Sequence, residues 1–162
     1  CSKTYAMTGW RIGYTCGDSE VIKAMSKLQG QSTSCPNSIA QYAAAAALTG
    51  DQSSVATMKK AFHKRRDLIV DRLNNIDGVS CDTPGGAFYV FPNFKEIINR
   101  NVSGNNIKSA LDLCMMLLEE KLVVSVSGES FGADDNIRFS YATSEETIND
   151  AMDRLEALLS EI

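Results

Sequence analysis

The chain has 162 residues, a formal net charge of −4, and 22% charged against 44% hydrophobic residues. Those are ordinary proportions for a globular protein with enough apolar material for a core. The acidic balance argues against a nucleic-acid partner, whose phosphates call for a basic face, and no apolar run approaches the roughly 18 residues of a membrane span. No secretory signal pattern opens the sequence, so a cytoplasmic setting is expected. The five cysteines, Cys1, Cys16, Cys35, Cys81 and Cys114, are scattered with no C-x-x-C pair. Such spacing speaks against a zinc site or a disulfide framework and fits a reducing compartment. The single histidine, His63, lies in FHKRRD, so a histidine triad or metal cluster has little material, and it reads as a solvated helix residue.

In chain order, WRIGYTC (10–16) reads as a strand followed by a Gly17-Asp18 turn. Residues 18–29 form a helix capped by Asp18 or Ser19, with Val21, Ile22, Met25 and Leu28 as its inner face. After a polar loop, Pro36 suits the first turn of a helix over 37–48, which Gly50 ends. A long helix follows over 52–76, with Val55, Met58, Phe62, Ile69, Leu73 and Ile76 at three- and four-residue steps, stopped by Gly78. Residues 79–83 and 87–94 read as a strand pair about a Pro-Gly-Gly turn, and 95–106 as polar and irregular. A helix over 107–121 turns Ile107, Leu111, Cys114, Met115 and Leu118 to one side. Residues 123–126 and 137–142 are two more strands. Thr143 with Glu146 makes a capping box for a last helix whose inner stripe is Ile148, Met152, Leu155, Leu159 and Ile162.

This order predicts an α/β protein in two parts. Residues 51–162 form a small α+β domain with a mixed or antiparallel sheet, led by the long helix. Residues 1–50 are too few to bury a sheet of their own and read as the end of a larger domain.

The chemistry concentrates at CSKTYAMTGWRIGY (1–14). The amine of Lys3 is a nucleophile toward aldehydes once deprotonated, and Arg11, eight residues on, offers a planar fork suited to a phosphate dianion. An aldehyde that also carries a phosphate is pyridoxal phosphate. Gly9 and Gly13 would let backbone pass close to such a ligand. Taken alone, the spacing of Lys3 and Arg11 is weak, and the plainer reading is two surface cations flanking a strand. Arg138 poses a second question: in IRFSYA (137–142) a lone cation on an apolar strand needs a partner, and either a structural carboxylate or a substrate carboxylate would serve. Phe88 and Tyr89 read equally as strand packing or as lining of a site.

The string SKTYAMTGWRIGY resembles the cofactor-attachment signature of class I and II (fold-type I) pyridoxal-phosphate-dependent aminotransferases, S-K-x-[aromatic]-x-x-x-G-x-R-[aliphatic]-G, at Ser2, Lys3, Tyr5, Gly9, Arg11, Ile12 and Gly13. TSCPNSIAQYAAAAAL, PGGAFYVFP, SGESFG and NIRFSYATSEE resemble later segments of the same family in the same order, with Cys35 where asparagine is common. The resemblance covers the whole chain and is strongest to the bacterial-type aspartate aminotransferase branch. It implies that Lys3 is the Schiff-base lysine, that Arg11 and Ser2 hold the cofactor phosphate, and that Arg138 clasps the substrate α-carboxylate. It also implies L-amino acid and 2-oxo acid substrates, a two-fold homodimer, and a chain that is the C-terminal portion of a longer enzyme, inactive alone. The family's phosphate loop, stacking aromatic ring, and aspartate for the pyridinium nitrogen would all lie upstream. The resemblance leaves open a β-lyase of the same fold, or the aminotransferase-like sensor domain of a transcription regulator.

Overall fold

Short polar side chains at the helix entrances set where the helices begin. In the computed structural model, which describes residues 1–102 and 104–160, Asp18 accepts from the N–H groups of Glu20 (2.9 Å) and Val21 (3.4 Å) and starts α1, Ser19–Ser32. Asn37 accepts from Ala40 N–H at 3.1 Å and starts α2, Ser38–Thr49. Pro36 therefore precedes the helix, where its carbonyl accepts from Gln41 Nε2 at 2.9 Å. Gly50 ends α2 by donating to the Ala46 carbonyl. Asp51 accepts from the Ser53 N–H and hydroxyl at the start of α3, Ser53–Asn74. His63 is exposed on α3. Gly78 takes a left-handed φ of 81° beyond it, a conformation that strains any residue with a Cβ.

Two units of packing are present, Cys1–Lys59 and Lys60–Ile162, the division falling within α3. In the first, Met7, Ile12, Ala40 and Ala44 form a small core with Cys1, Tyr5, Ala43 and Ala47 against it. Residues 10–16 are not a strand. A 3-10 helix spans Thr8–Trp10, and 11–18 has no regular structure. A strand exists through its hydrogen-bonded neighbour, and among the described residues none lies beside this segment. The apolar face expected to be inward on α1 is likewise outward: Val21, Met25 and Leu28 are exposed, and α1 contains no buried residue. The periodicity is real, but nothing in its own unit covers it.

In the second unit a three-stranded antiparallel sheet, ordered β1-β5-β4, joins β1 (Tyr89–Val90), β4 (Val126–Ser127) and β5 (Ile137–Ser140). Tyr89 faces Ser140 and Val90 faces Phe139; Val126 faces Arg138. The expected pairing of 79–83 with 87–94 shrinks to one bridge, Ser80 with Asn93, because β5 takes the ladder of β1 instead. Residues 95–106, expected to be irregular, contain the paired strands β2 (Asn101–Val102) and β3 (Asn105–Asn106).

Helix α4, Ala110–Lys121, is capped by Ser109, which accepts from Asp112 N–H at 3.2 Å. It buries Ala110, Leu113, Cys114 and Leu117 and exposes Leu111, Met115 and Leu118. Ile107 and Cys114 of the expected stripe are buried, but the apolar run LDLCMMLL supports two faces one step apart, and packing takes Leu113 and Leu117 in place of Leu111, Met115 and Leu118. Helix α5, Glu145–Leu159, starts at Ser144, which accepts from Thr147 N–H at 3.1 Å. The cap is thus one residue later than the Thr143–Glu146 box, because Ser144 carries the extended backbone that a cap needs. Ile148, Met152, Leu155 and Leu159 are buried as expected, and Leu158 joins them; Ile162 lies outside the described residues. Arg72 ties α3 to α5, donating to Glu156 (2.9 and 3.0 Å), Asp153 (2.6 Å) and Asn149 (3.0 Å). No helix among the described residues is long and apolar enough to cross a membrane.

All five cysteines are free thiols, with Cys81 and Cys114 buried. Burial pushes the Cys81 thiol from its usual 9.0 up to about 11 and raises Cys114 in the same direction. The folded state therefore holds the Cys81 proton to higher pH than the unfolded chain does. Its contribution is intact below pH 9 and is lost as pH rises toward 11. Thermal unfolding followed from pH 8 to pH 11 should show a falling midpoint, and Cys81→Ala should flatten that slope. An equal slope in the variant would mean that Cys81 is not its source.

Candidate functional site

Residues 1–12 turn repeatedly on themselves. Tyr5 N–H donates to the Cys1 carbonyl (3.1 Å), Ala6 to Lys3 (3.3 Å) and Trp10 to Met7 (3.2 Å). Ala6 and Arg11 both adopt left-handed backbone, at φ 53° and 51°, a strained choice for residues with a Cβ that clusters at functional sites. Met7 and Ile12 are buried anchors on either side of the 3-10 turn, and the Tyr5 hydroxyl donates to Gln52 Oε1 at 3.1 Å. The pinned segment leaves Lys3 and Arg11 exposed, with Ser2 half-buried.

Arg11 Nη1 donates to the Thr8 carbonyl at 3.0 Å. That bond orients the guanidinium without neutralising it, and among the described residues no carboxylate pairs with it. Its remaining N–H groups suit an anion. A Cβ placed on Gly9 or Gly13 would meet nothing within 4 Å, so packing within the chain does not demand glycine at either position. Gly13 borders an open hollow of about 310 Å³, together with Cys1, Ile12, Tyr14 and residues of α2; Lys3 and Arg11 do not line it.

Arg138 belongs to the second unit. Among the described residues its guanidinium has neither a carboxylate nor a hydrogen-bond acceptor. Instead it lies over two aromatic rings, with Cζ 4.5 Å from the Tyr89 centroid and 4.8 Å from that of Phe131. The structural ion pair that could have explained this cation is replaced by cation–π contact. Tyr89 faces Ser140, two residues beyond Arg138 on β5, so the two side chains are diagonal neighbours on one face of the sheet.

The turn before β1 is also held. Ala87 adopts φ 62°, its carbonyl accepts from the Tyr141 hydroxyl at 3.0 Å, and Arg66 donates to the Pro84 carbonyl at 3.4 Å. Burial raises the Tyr141 phenol above its ordinary value, so it stays a donor. Sequence reasoning singled out Arg138 but missed Phe131, Tyr141 and Arg66, whose partners lie 7 to 54 residues away and leave no local pattern.

Lys3 and Arg11 are thus both exposed on one segment that carries two left-handed residues. Residues 1–155 match the profile described as aminotransferase class I and II, and the chain belongs to that family. It is 48% identical over 157 residues to an aspartate aminotransferase of Rhizobium meliloti (strain 1021), covering 96% of this chain and 38% of that protein. It is also 48% identical to an aspartate/prephenate aminotransferase of Cereibacter sphaeroides, covering 96% and 39%. The crystal structure of the aspartate aminotransferase from Rhizobium meliloti superposes with a TM-score of 0.93 at 46% identity, over 99% of this chain and 40% of that one. The fold is that of the C-terminal part of a fold-type I aminotransferase, and the chain spans about two-fifths of the length of these relatives.

Proposed function

We propose that these residues serve a pyridoxal-phosphate-dependent aminotransferase that moves an amino group between an L-amino acid, aspartate or a close analogue, and a 2-oxo acid. The supporting observation is the exposed Lys3 and Arg11 pair, held on one segment by the buried Met7 and Ile12. The donor set fits pyridoxal phosphate: an amine for its aldehyde, and for its phosphate a guanidinium not engaged by any described carboxylate. Ser2 adds a half-buried hydroxyl beside Lys3. When bound, that cofactor supplies an electron sink that stabilises negative charge at the substrate α-carbon.

The chain's own groups do the rest. Arg11, aimed by its bond to the Thr8 carbonyl, holds the phosphate end. Lys3 would provide the amine that holds the cofactor aldehyde, and its free amine would take and return the proton of the substrate α-carbon as base and then acid. Arg138 receives the substrate α-carboxylate through its N–H edge. A homodimer in the cytoplasm is the expected form of the intact enzyme, a setting that the five free thiols fit; the 162 residues alone are expected not to turn over.

The test supplies the intact protein with pyridoxal phosphate, L-aspartate and 2-oxoglutarate. Glutamate and oxaloacetate should form together. With an S-substituted L-cysteine in place of aspartate, release of a thiol, pyruvate and ammonia would identify a β-lyase, and cofactor binding without turnover of either amino acid a sensor domain; either overturns the reading.

A further inference from the structure

Among the described residues, Arg138 is held through ring faces rather than through hydrogen bonds. Its two aromatic neighbours each lean on another ring: Tyr89 lies 4.5 Å from Phe88, and Phe131 meets Phe91 edge-on at 5.9 Å and 88°. The row Phe88, Tyr89, Arg138, Phe131, Phe91 thus draws on β1, β5 and the short 3-10 turn Gly128–Phe131. That turn has little freedom. Ser127 caps it by accepting from Glu129 N–H, Gly128 N–H donates to the Asn136 carbonyl at 2.7 Å, and Gly132 closes it at φ 74°. A Cβ on Gly128 would stand 2.1 Å from the Ala133 carbonyl oxygen, so only glycine allows this approach. Phe131 itself is half exposed, at 51%, so burial alone does not account for its place against the cation.

An arginine side chain loses considerable rotamer freedom when it is fixed. Aromatic contact can absorb that loss before a ligand arrives while leaving the N–H donors open. A neighbouring carboxylate would fix the group equally well but would occupy those donors.

We propose that Tyr89 and Phe131 are positioning residues that pre-set Arg138 for a bidentate carboxylate, and that the Gly128–Phe131 turn exists to deliver Phe131 to it. The proposal rests on reading Arg138 as the substrate-carboxylate group.

The experiment uses the intact, cofactor-loaded protein and single-turnover kinetics. L-aspartate is compared with β-alanine, which keeps an amine and a carboxylate but lacks the α-carboxylate. Phe131→Leu and Tyr89→Leu should each weaken apparent aspartate binding roughly fivefold to tenfold, the scale of one partly desolvated cation–π contact. The rate constant with β-alanine should not change, and Tyr89→Phe should recover most of the affinity lost in Tyr89→Leu. Equal losses with both amines would mark a general structural role and overturn the proposal. Arg138→Leu separates the two layers. If it weakens aspartate binding while the ring variants do not, the positioning role fails and the carboxylate role stands. If Arg138→Leu leaves aspartate binding unchanged, the carboxylate role fails and the positioning role with it.

Discussion

Lys3→Ala is expected to abolish transamination in the intact protein, lowering turnover by on the order of 10⁴-fold or more, and to remove the visible absorbance that marks covalently held pyridoxal phosphate. On the proposed function two losses combine in this variant: the amine for cofactor attachment, and the group for the α-proton, a role that by itself contributes about 10²- to 10⁴-fold. The change should leave folding intact. Lys3 is exposed, and the small core of its unit is built from Met7, Ile12, Ala40 and Ala44. Far-ultraviolet circular dichroism and the thermal midpoint of the cofactor-free variant should therefore match those of the cofactor-free parent protein, while the cofactor band is absent from the variant. Retention of both the band and turnover in Lys3→Ala would remove Lys3 from the chemistry.

Phe94→Ala is expected to destabilise the second unit by about 3–5 kcal/mol, the range for truncating a fully buried aromatic ring. Phe94 is completely buried, its ring centroid 6.4 Å from that of Phe139. Its backbone is fixed as well: Phe94 N–H donates to the Asp135 carbonyl at 2.8 Å, and its own carbonyl accepts from Ile97 and Ile98. The backbone therefore cannot follow the side chain inward, and the cavity stays open. Phe139 adjoins Arg138 on β5 and pairs with Val90 of β1. Equilibrium denaturation of the intact protein should show the loss, and a change below about 1 kcal/mol would mean that the core closes over the gap.

Where the amino-acid pattern specified a local act, it was legible. Asp18 is a short acceptor in front of a helical stretch, and it caps α1. Gly50 ends α2, and the stripe Ile148, Met152, Leu155, Leu159 on α5 is buried. The family was also legible, since ordered motifs carried the resemblance and a profile over residues 1–155 matches; Ser2, Lys3, Arg11 and Arg138 are the candidates that resemblance names. Where the outcome depended on a neighbour, the pattern was silent or misleading. WRIGYTC has strand composition, yet composition cannot supply the adjacent strand whose hydrogen bonds would make it one. On α4 the run of apolar residues supported two faces, and packing buried Leu113 and Leu117 rather than Leu111 and Leu118.

The sequence by itself determined the existence of the helices and the identities of the cations, because those follow from contacts a few residues long and from functional groups that do not depend on the fold. Only the tertiary structure decided that β1 pairs with β5 rather than with residues 79–83, and that Arg138 rests on Tyr89 and Phe131 rather than on any carboxylate among the described residues. Both depend on segments about 50 residues apart meeting on one sheet. Ladder hydrogen bonds and ring faces can choose among partners only after the core has brought those partners together.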